Sequence, residues 1–257
     1  MRAGGAARVL LGFVLLASGA CSSRRVFIYT PEGRPAPEPV FEGGVAVLEL
    51  TDARGKHPLD HNLKLLALIP LVPFAVSHRD YPERTYLDDS DNLNGFVPTV
   101  DLAKAVAGEL EAEHVFSRAR FVEGRLHAER YELRGKLFDC HVAEGYLTYG
   151  ISFFSVVLHG VGFPEGTLKC GIHMELELLD RRSGKVVWTK DLQGSSTRAT
   201  WIYDSAEADH ACEMFGIIAR EIIPPAVADL RDHSKLGNRS ELVSRPLVYW
   251  PRFDTTP

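Results

Sequence analysis

The stretch Leu168-Lys169-Cys170-Gly171-Ile172-His173-Met174-Glu175-Leu176-Glu177-Leu178 alternates apolar or small residues with polar ones over most of its length. Successive side chains of a strand point to opposite faces, so this period of two predicts a half-buried β-strand. Asp180-Arg181-Arg182-Ser183-Gly184 follows, and then Lys185-Val186-Val187-Trp188-Thr189. Two such segments around a short Gly-containing loop predict an antiparallel hairpin. Upstream, Tyr131, Leu133, Gly135 and Leu137 alternate with Glu132, Arg134 and Lys136, which adds a third strand with one wet face.

Working outward, the apolar run Val45–Thr51 closes at Asp52-Ala53-Arg54-Gly55 and reads as a strand inside a sheet. After Pro98, Leu102, Ala105, Val106, Leu110 and Val115 recur at helical spacing, with Thr99 as the expected N-cap. The opposite face of that helix carries Lys104, Glu109, Glu111 and Glu113. A short strand is expected around Arg120-Phe121-Val122. A long helix begins near Ser205, where Asp204 and Glu207 fit a capping box. Its stripe is Ala211, Phe215, Ile218 and Ile222, and Pro224-Pro225 is expected to end or kink it. From His233 the tail loses periodicity. The order is strand, helix, strand, three antiparallel strands, helix. It predicts an α/β (α+β) fold: a mixed, largely antiparallel sheet with two main helices packed on one face.

This order, with Tyr131-Glu-Leu-Arg-Gly-Lys-Leu137 and Leu179-Asp-Arg-Arg-Ser-Gly-Lys-Val-Val-Trp188, resembles the α/β domain of the curli-secretion lipoprotein family and of TolB-like N-terminal domains. The resemblance covers about residues 43–230. It implies a domain of the bacterial envelope and transfers no functional residue. In the curli-secretion family, insertions in the domain form a membrane-spanning barrel.

The N-terminus agrees with an envelope address. Arg2 and Arg8 precede a short apolar run, Val9–Ala17, too short to cross a bilayer, and Ser18-Gly19-Ala20 leads to Cys21. This layout resembles the bacterial lipobox, in which the Cys thiol takes a diacylglyceryl group. The box usually has Leu three residues before the Cys, and Ser18 stands there instead. The alternative is an ordinary cleavable signal peptide that happens to precede a Cys. Ser22, in place of Asp, favours the outer membrane, facing the periplasm. The expected layout is therefore a signal peptide over 1–20 and a lipid-anchored, Pro-rich tether over 21–42. An α/β domain over 43–232 and an irregular tail over 233–257 follow.

The chain has a formal net charge of −5, and loss of Arg2 and Arg8 with the signal peptide takes it from −5 to −7. No basic run or basic-aromatic stripe is present, so nucleic acid is not an expected partner. Cys140, Cys170 and Cys212 match no zinc spacing. A disulfide between Cys140 and Cys170 is possible if their strands are neighbours; buried free thiols are the alternative. His57 and His61 are a weak metal pair, and Ser90–Asp101 imitates a calcium loop with the wrong first and last ligands. Asp139, Glu144, Asp180 and Asp191 sit at expected strand ends or turns. The sequence contains no nucleophile elbow, P-loop, dinucleotide fingerprint or zincin motif, and no cofactor or metal is expected.

Two segments fit none of this: Leu63–Val76 and Tyr149–Phe163, apolar where polar loops are expected. Most apolar runs are buried, which makes short buried helices the plain reading. The sharper one is an exposed surface for membrane, lipid or a partner, carried by Leu66, Leu68, Ile69, Phe153, Phe154 and Val157. Neither alternates as a barrel strand would. The functional expectation is a non-enzymatic envelope lipoprotein that works through protein contact, within a secretion or transport assembly or as a homo-oligomer. The alternative is a lipid- or small-ligand carrier whose pocket these segments line.

Overall fold

The alternating stretch is the middle of the sheet, strand β6 (Gly166–Asp180). Its neighbours are β5 (Tyr131–Leu147) and β7 (Lys185–Thr200), both antiparallel to it. The structure is a computed structural model that describes residues 27–33, 38–55, 69–80, 96–124, 128–151, 154–201 and 207–236. Over these, β1 (Phe41–Leu48), β2 (Thr51–Asp52), β3 (Phe74–Asp80) and β4 (Phe116–Val122) complete a seven-stranded sheet. Its order is β4-β1-β5-β6-β7, with β2 and β3 also paired to β5. The β4–β1, β1–β5 and β2–β5 pairs are parallel, and the others antiparallel. Helices α1 (Pro98–Ala112) and α3 (Glu207–Leu236) cover one face, and a short α2 (Ser155–Gly160) links β5 to β6. The expected α/β class with a mixed sheet is the observed one.

The core lies between that face and the two helices. Leu133, Leu176 and Trp188 of the sheet meet Val106 and Leu110 of α1 and Ile223, Val227 and Leu230 of α3. The space left between them is about 10 Å³, no more than a single water fills. Gly194 lets α3 approach β7, since a Cβ there would stand 2.7 Å from Ile222 and 2.8 Å from Ile218. Further along, the Trp188 indole N–H donates to Asp229 Oδ2 at 3.0 Å, and Lys190 Nζ lies 3.1 Å from its other oxygen. These contacts join α3 to the edge strand over most of its length.

Several elements depart from expectation for identifiable reasons. β5 runs ten residues past Leu137, because a bulge at Phe138 interrupts the alternation: Leu137 faces Met174, but Asp139 already faces His173. Beyond the bulge Cys140, Val142 and Glu144 turn inward. Thr99 is not the N-cap of α1. Pro98, which has no N–H to satisfy, takes the first helical position, and Asp101 Oδ2 accepts the Val97 N–H at 2.7 Å. Thr99 Oγ1 donates to Glu49 instead, at 2.9 Å. Pro224-Pro225 does not end α3, which continues to Leu236. Buried Ile223 on one side and Ala226, Val227 and Leu230 on the other hold both halves against the core. Asp204 and Ser205 lie outside the described residues.

The outer side of α1 is not simply wet. Glu109 and Glu113 are buried. Residues 27–33, read by composition as part of the tether, lie along this helix. Phe27 stacks on Phe96 at 4.7 Å, the Tyr29 hydroxyl donates to Glu109 Oε2 at 2.7 Å, and Gly33 reaches Glu113. From the other side Arg231 of α3 pairs with Glu113 at 3.2 Å. Burial pushes the Glu113 carboxyl above its ordinary range, against the pull of Arg231.

Candidate functional site

Four strand ends meet at one end of the sheet. Leu147 of β5 faces Phe74 of β3, Tyr146 faces Gly166 of β6, and Gly166 faces Thr200 of β7. Both apolar segments emerge here and are tied to each other. The Leu71 N–H donates to the Gly150 carbonyl at 3.0 Å, the Thr148 N–H to the Pro73 carbonyl at 2.9 Å, and the Thr148 hydroxyl to the Val72 carbonyl. Leu71 (φ 72°) and Tyr149 (φ 53°) sit in the left-handed region at this junction. That conformation costs a non-glycine residue roughly 1–2 kcal/mol and persists only where surrounding contacts impose it.

Between β5 and β6 the short helix α2 is turned inside out. Ser155 and His159, four apart and so on one face, are the buried residues, and the His159 ring Nε2 lies 3.0 Å from the Leu147 carbonyl. The apolar residues point to solvent: Phe154 is 70% exposed and Val157 66%, with Val156, Val161 and Phe163 beside them. Across the junction Leu71 is 87% exposed, and Ile69 and Phe74 are exposed as well. The Tyr149 ring packs edge-on to Phe163 at 5.9 Å while its hydroxyl donates to the Pro164 carbonyl at 2.8 Å. Exposed Trp201 follows the end of β7. Residues 69–75, 148–151 and 154–163 contain no Asp, Glu, Lys or Arg. The result, among the described residues, is an apolar cap on the end of the sheet whose two segments carry no charge, with half-buried Glu165 at its edge.

For the described residues 69–76, 149–151 and 154–163, the reading of these segments as buried helices is therefore corrected. Phe74–Val76 belongs to β3, and α2 is a surface helix because its polar side chains, not its apolar ones, find partners inside. The structure brings Ile69, Phe154 and Val157 onto the same cap; Leu66, Leu68, Phe153 and Cys21 lie outside the described residues. Leu71, Phe74, Ile151, Val156, Val161 and Phe163 join the cap without having been singled out. The pair Ser155/His159 at helical spacing was the signal for the last of these. The described parts of both segments line the outside of the sheet end rather than a pocket.

The remaining candidate chemistry is dispersed. Cys140 faces Ile172, and Cys170 faces Val142, so the two thiols are diagonal neighbours. Diagonal positions stand about 7–8 Å apart, beyond the roughly 4.4–6.8 Å that a disulfide spans. Both are buried thiols outside any disulfide, as is Cys212. Burial, aided by nearby Cys212, pushes the Cys170 thiol up to about 12, and its Sγ lies 3.9 Å from Met214 Sδ. Asp139 holds His141 at 2.7 Å and Asp191 holds His173 at 2.8 Å on the face away from the helices. Glu144 accepts from Tyr146 at 3.0 Å, and Asp180 lies 3.7 Å from Arg130. Among the described residues no three His, Cys, Asp or Glu side chains are placed to hold a metal ion. His57, His61 and the first half of the imitation calcium loop lie outside them; Asp101 serves the start of α1. No described helix is long and apolar enough to cross a membrane.

No protein-family model matches the chain, and no curated protein matches it by sequence. Among solved structures it is similar to a Xanthomonas campestris protein of the family DUF330, at 11% identity over 84% of this chain and 99% of that one, with a TM-score of 0.42. It is also similar to a Caulobacter crescentus protein assigned as a lipoprotein, at 18% identity over 41% of this chain and 67% of that one, with a TM-score of 0.27. A third is a dodecameric PelC variant from Paraburkholderia phytofirmans, at 13% identity over 78% and 95%, with a TM-score of 0.26. Likenesses at this level assign no function.

Proposed function

We propose that this chain is a lipid-anchored protein of the bacterial envelope that works by contact rather than by catalysis. The signal-like first twenty residues and Cys21 supply the address and the anchor. The observation that carries the reading is the cap: two separate segments, held together by their own backbone, present a charge-free apolar surface. Apolar patches of this kind mark the places where a protein meets a membrane or another protein. A role in a secretion or transport assembly at the outer membrane, facing the periplasm, is the setting in which such a surface works.

Two measurements test this. Mass spectrometry of the processed N-terminus is expected to show an acylated Cys21, and an unmodified thiol there sinks the anchor. A photo-crosslinking side chain at Val157 is expected to form adducts in the intact envelope, while the same group at Ser183, in the opposite turn, forms none. Equal yields from the two positions refute the contact role of the cap.

A further inference from the structure

We propose that the occupant of the cap is the lipid bilayer that holds the anchor, so that the domain stands on the membrane with the Leu147, Gly166 and Thr200 strand ends toward the lipid. This rests on the reading of Cys21 as acylated.

The argument is one of direction and reach. The stretch 27–33 runs alongside α1 in the same sense as the helix, with Phe27 at Phe96, just ahead of its first turn, and Gly33 at Glu113, just past its end. Helix α1 runs antiparallel to β1, since Thr99 bonds to Leu50 at one end and Val115 to Val40 at the other. β1 is parallel to β5, so residues 27–33, followed from Gly33 back to Phe27, point toward the end at which β5 finishes. That is the capped end.

The level of Phe27 follows from its neighbours. Phe96 stacks in turn on Phe215 at 5.1 Å, and Met214 beside it touches Cys170, four residues from the start of β6. At about 3.3 Å per residue, Cys170 stands roughly 13 Å from the strand end, and Phe27 is linked to it through Phe96, Phe215 and Met214. Five residues, six chain steps, lie between Phe27 and Cys21, a contour of at most about 20 Å. That contour is of the order of the distance to the capped end and well short of the distance to the opposite one. The Ser183 turn lies the whole length of β6 away, out of its reach.

The surface suits lipid. The described parts of its two segments contain no Asp, Glu, Lys or Arg, and His159 is turned inward; half-buried Glu165 stands where the strands end; and Tyr149 and Trp201, rings with a polar atom, stand at the interfacial level where such residues are enriched. An acyl anchor and an apolar face on the same side act as two attachments, each raising the effective concentration of the other.

The test uses the full-length, cell-processed protein in vesicles of phosphatidylethanolamine and phosphatidylglycerol containing lipids brominated along the acyl chain. A fluorophore is attached at Val157→Cys and, separately, at Ser183→Cys; the native thiols at Cys140, Cys170 and Cys212 are buried. The Val157 label is expected to shift to the blue and to be quenched, and the Ser183 label to do neither. The N-terminal mass is read on the same sample. Acylated protein with an unquenched Val157 label overturns this proposal, leaves the anchor standing, and assigns the cap to a protein partner or a second copy. Absence of the acyl group overturns the anchor reading itself, and is seen independently of the quenching.

Discussion

Substitution of Val157 by Asp separates a surface helix from a core one without reference to what the cap meets. Val157 is 66% exposed, so only about a third of its side chain leaves water on folding. Full burial of a valine contributes about 1.5–3 kcal/mol, which puts the loss at roughly 0.5–1 kcal/mol. Val and Asp have similar helix propensity, and the new carboxylate stays hydrated, so neither adds a large penalty. Val142 is the contrast: it is 1% exposed on the face under the helices. An aspartate there would be an unpaired charge in the core, expected to lose about 4 kcal/mol or more. Thermal melting of Cys21→Ser protein, free of acyl group and membrane, reads the difference. Val157→Asp is expected to lower Tm by about 1–4 °C for a chain of this size, and Val142→Asp to leave little folded protein. If Val157→Asp falls as far as Val142→Asp, α2 is core and the account of the cap is wrong.

Three further outcomes follow from the same contacts. Burial would raise the Asp229 carboxyl, but the Trp188 indole and Lys190 outweigh it and hold the group below the ordinary aspartate range. A lowered carboxylate contributes stability that is present above about pH 4 and is lost as pH falls through the depressed value. Asp229→Asn keeps an acceptor for Trp188, and as the site is half exposed it is expected to lose only about 0.5–1 kcal/mol near neutrality. Its acid-unfolding limb should be flatter than that of the parent; superimposable limbs would count against the pairing. Cys140, Cys170 and Cys212 are expected to resist a thiol reagent at pH 8 in the folded protein and to react fully once it is denatured without reductant; fewer than three reactive thiols there would reveal a disulfide. Tyr29→Phe leaves buried Glu109 with only the longer bond from the Glu32 N–H, at 3.3 Å. A loss of about 1–3 kcal/mol in urea is expected, with faster proteolysis ahead of Phe41, and an unchanged midpoint would show that residues 27–33 add nothing to stability.

The hairpin and the two large helices were legible because each puts an apolar face in the core at a regular spacing, and period then reports structure. Where a residue breaks period locally, legibility stopped. The bulge at Phe138 hid the second half of β5. β7 past Thr189 is an edge strand whose polar residues Ser195, Thr197 and Arg198 show little alternation, with Leu192 the buried hydrophobic residue in that part. Pro224-Pro225 read as a stop or a kink because propensity is local, whereas the packing that carries α3 through it is not. The cap was half legible. Its two segments stood out as apolar runs in the wrong place, and Ile69, Phe154 and Val157 were picked from them. Their burial was misjudged because the rule that apolar residues go inside fails where Ser155 and His159 have the inward partners. The covering of Glu109 and Glu113 by residues 27–33 left no local mark, since that contact is set by residues about eighty positions apart.

The place of β1 in the sheet also dictates an order of events. It ends at Leu48, yet its neighbours on both sides begin only at Phe116 and Tyr131. A chain made from its N-terminus therefore holds this apolar strand with both edges unsatisfied until β4 has emerged, and with one edge unsatisfied until β5 has. By contrast β5, β6 and β7 follow one another from Tyr131 to Thr200 and pair with the next strand along. Contacts near in sequence form fastest, so the meander is the natural nucleus and β1 docks on it late. A chain interrupted before Tyr131 has only β4 to pair with β1 and no meander to dock it on, which leaves a sticky fragment for proteases rather than a half-built domain.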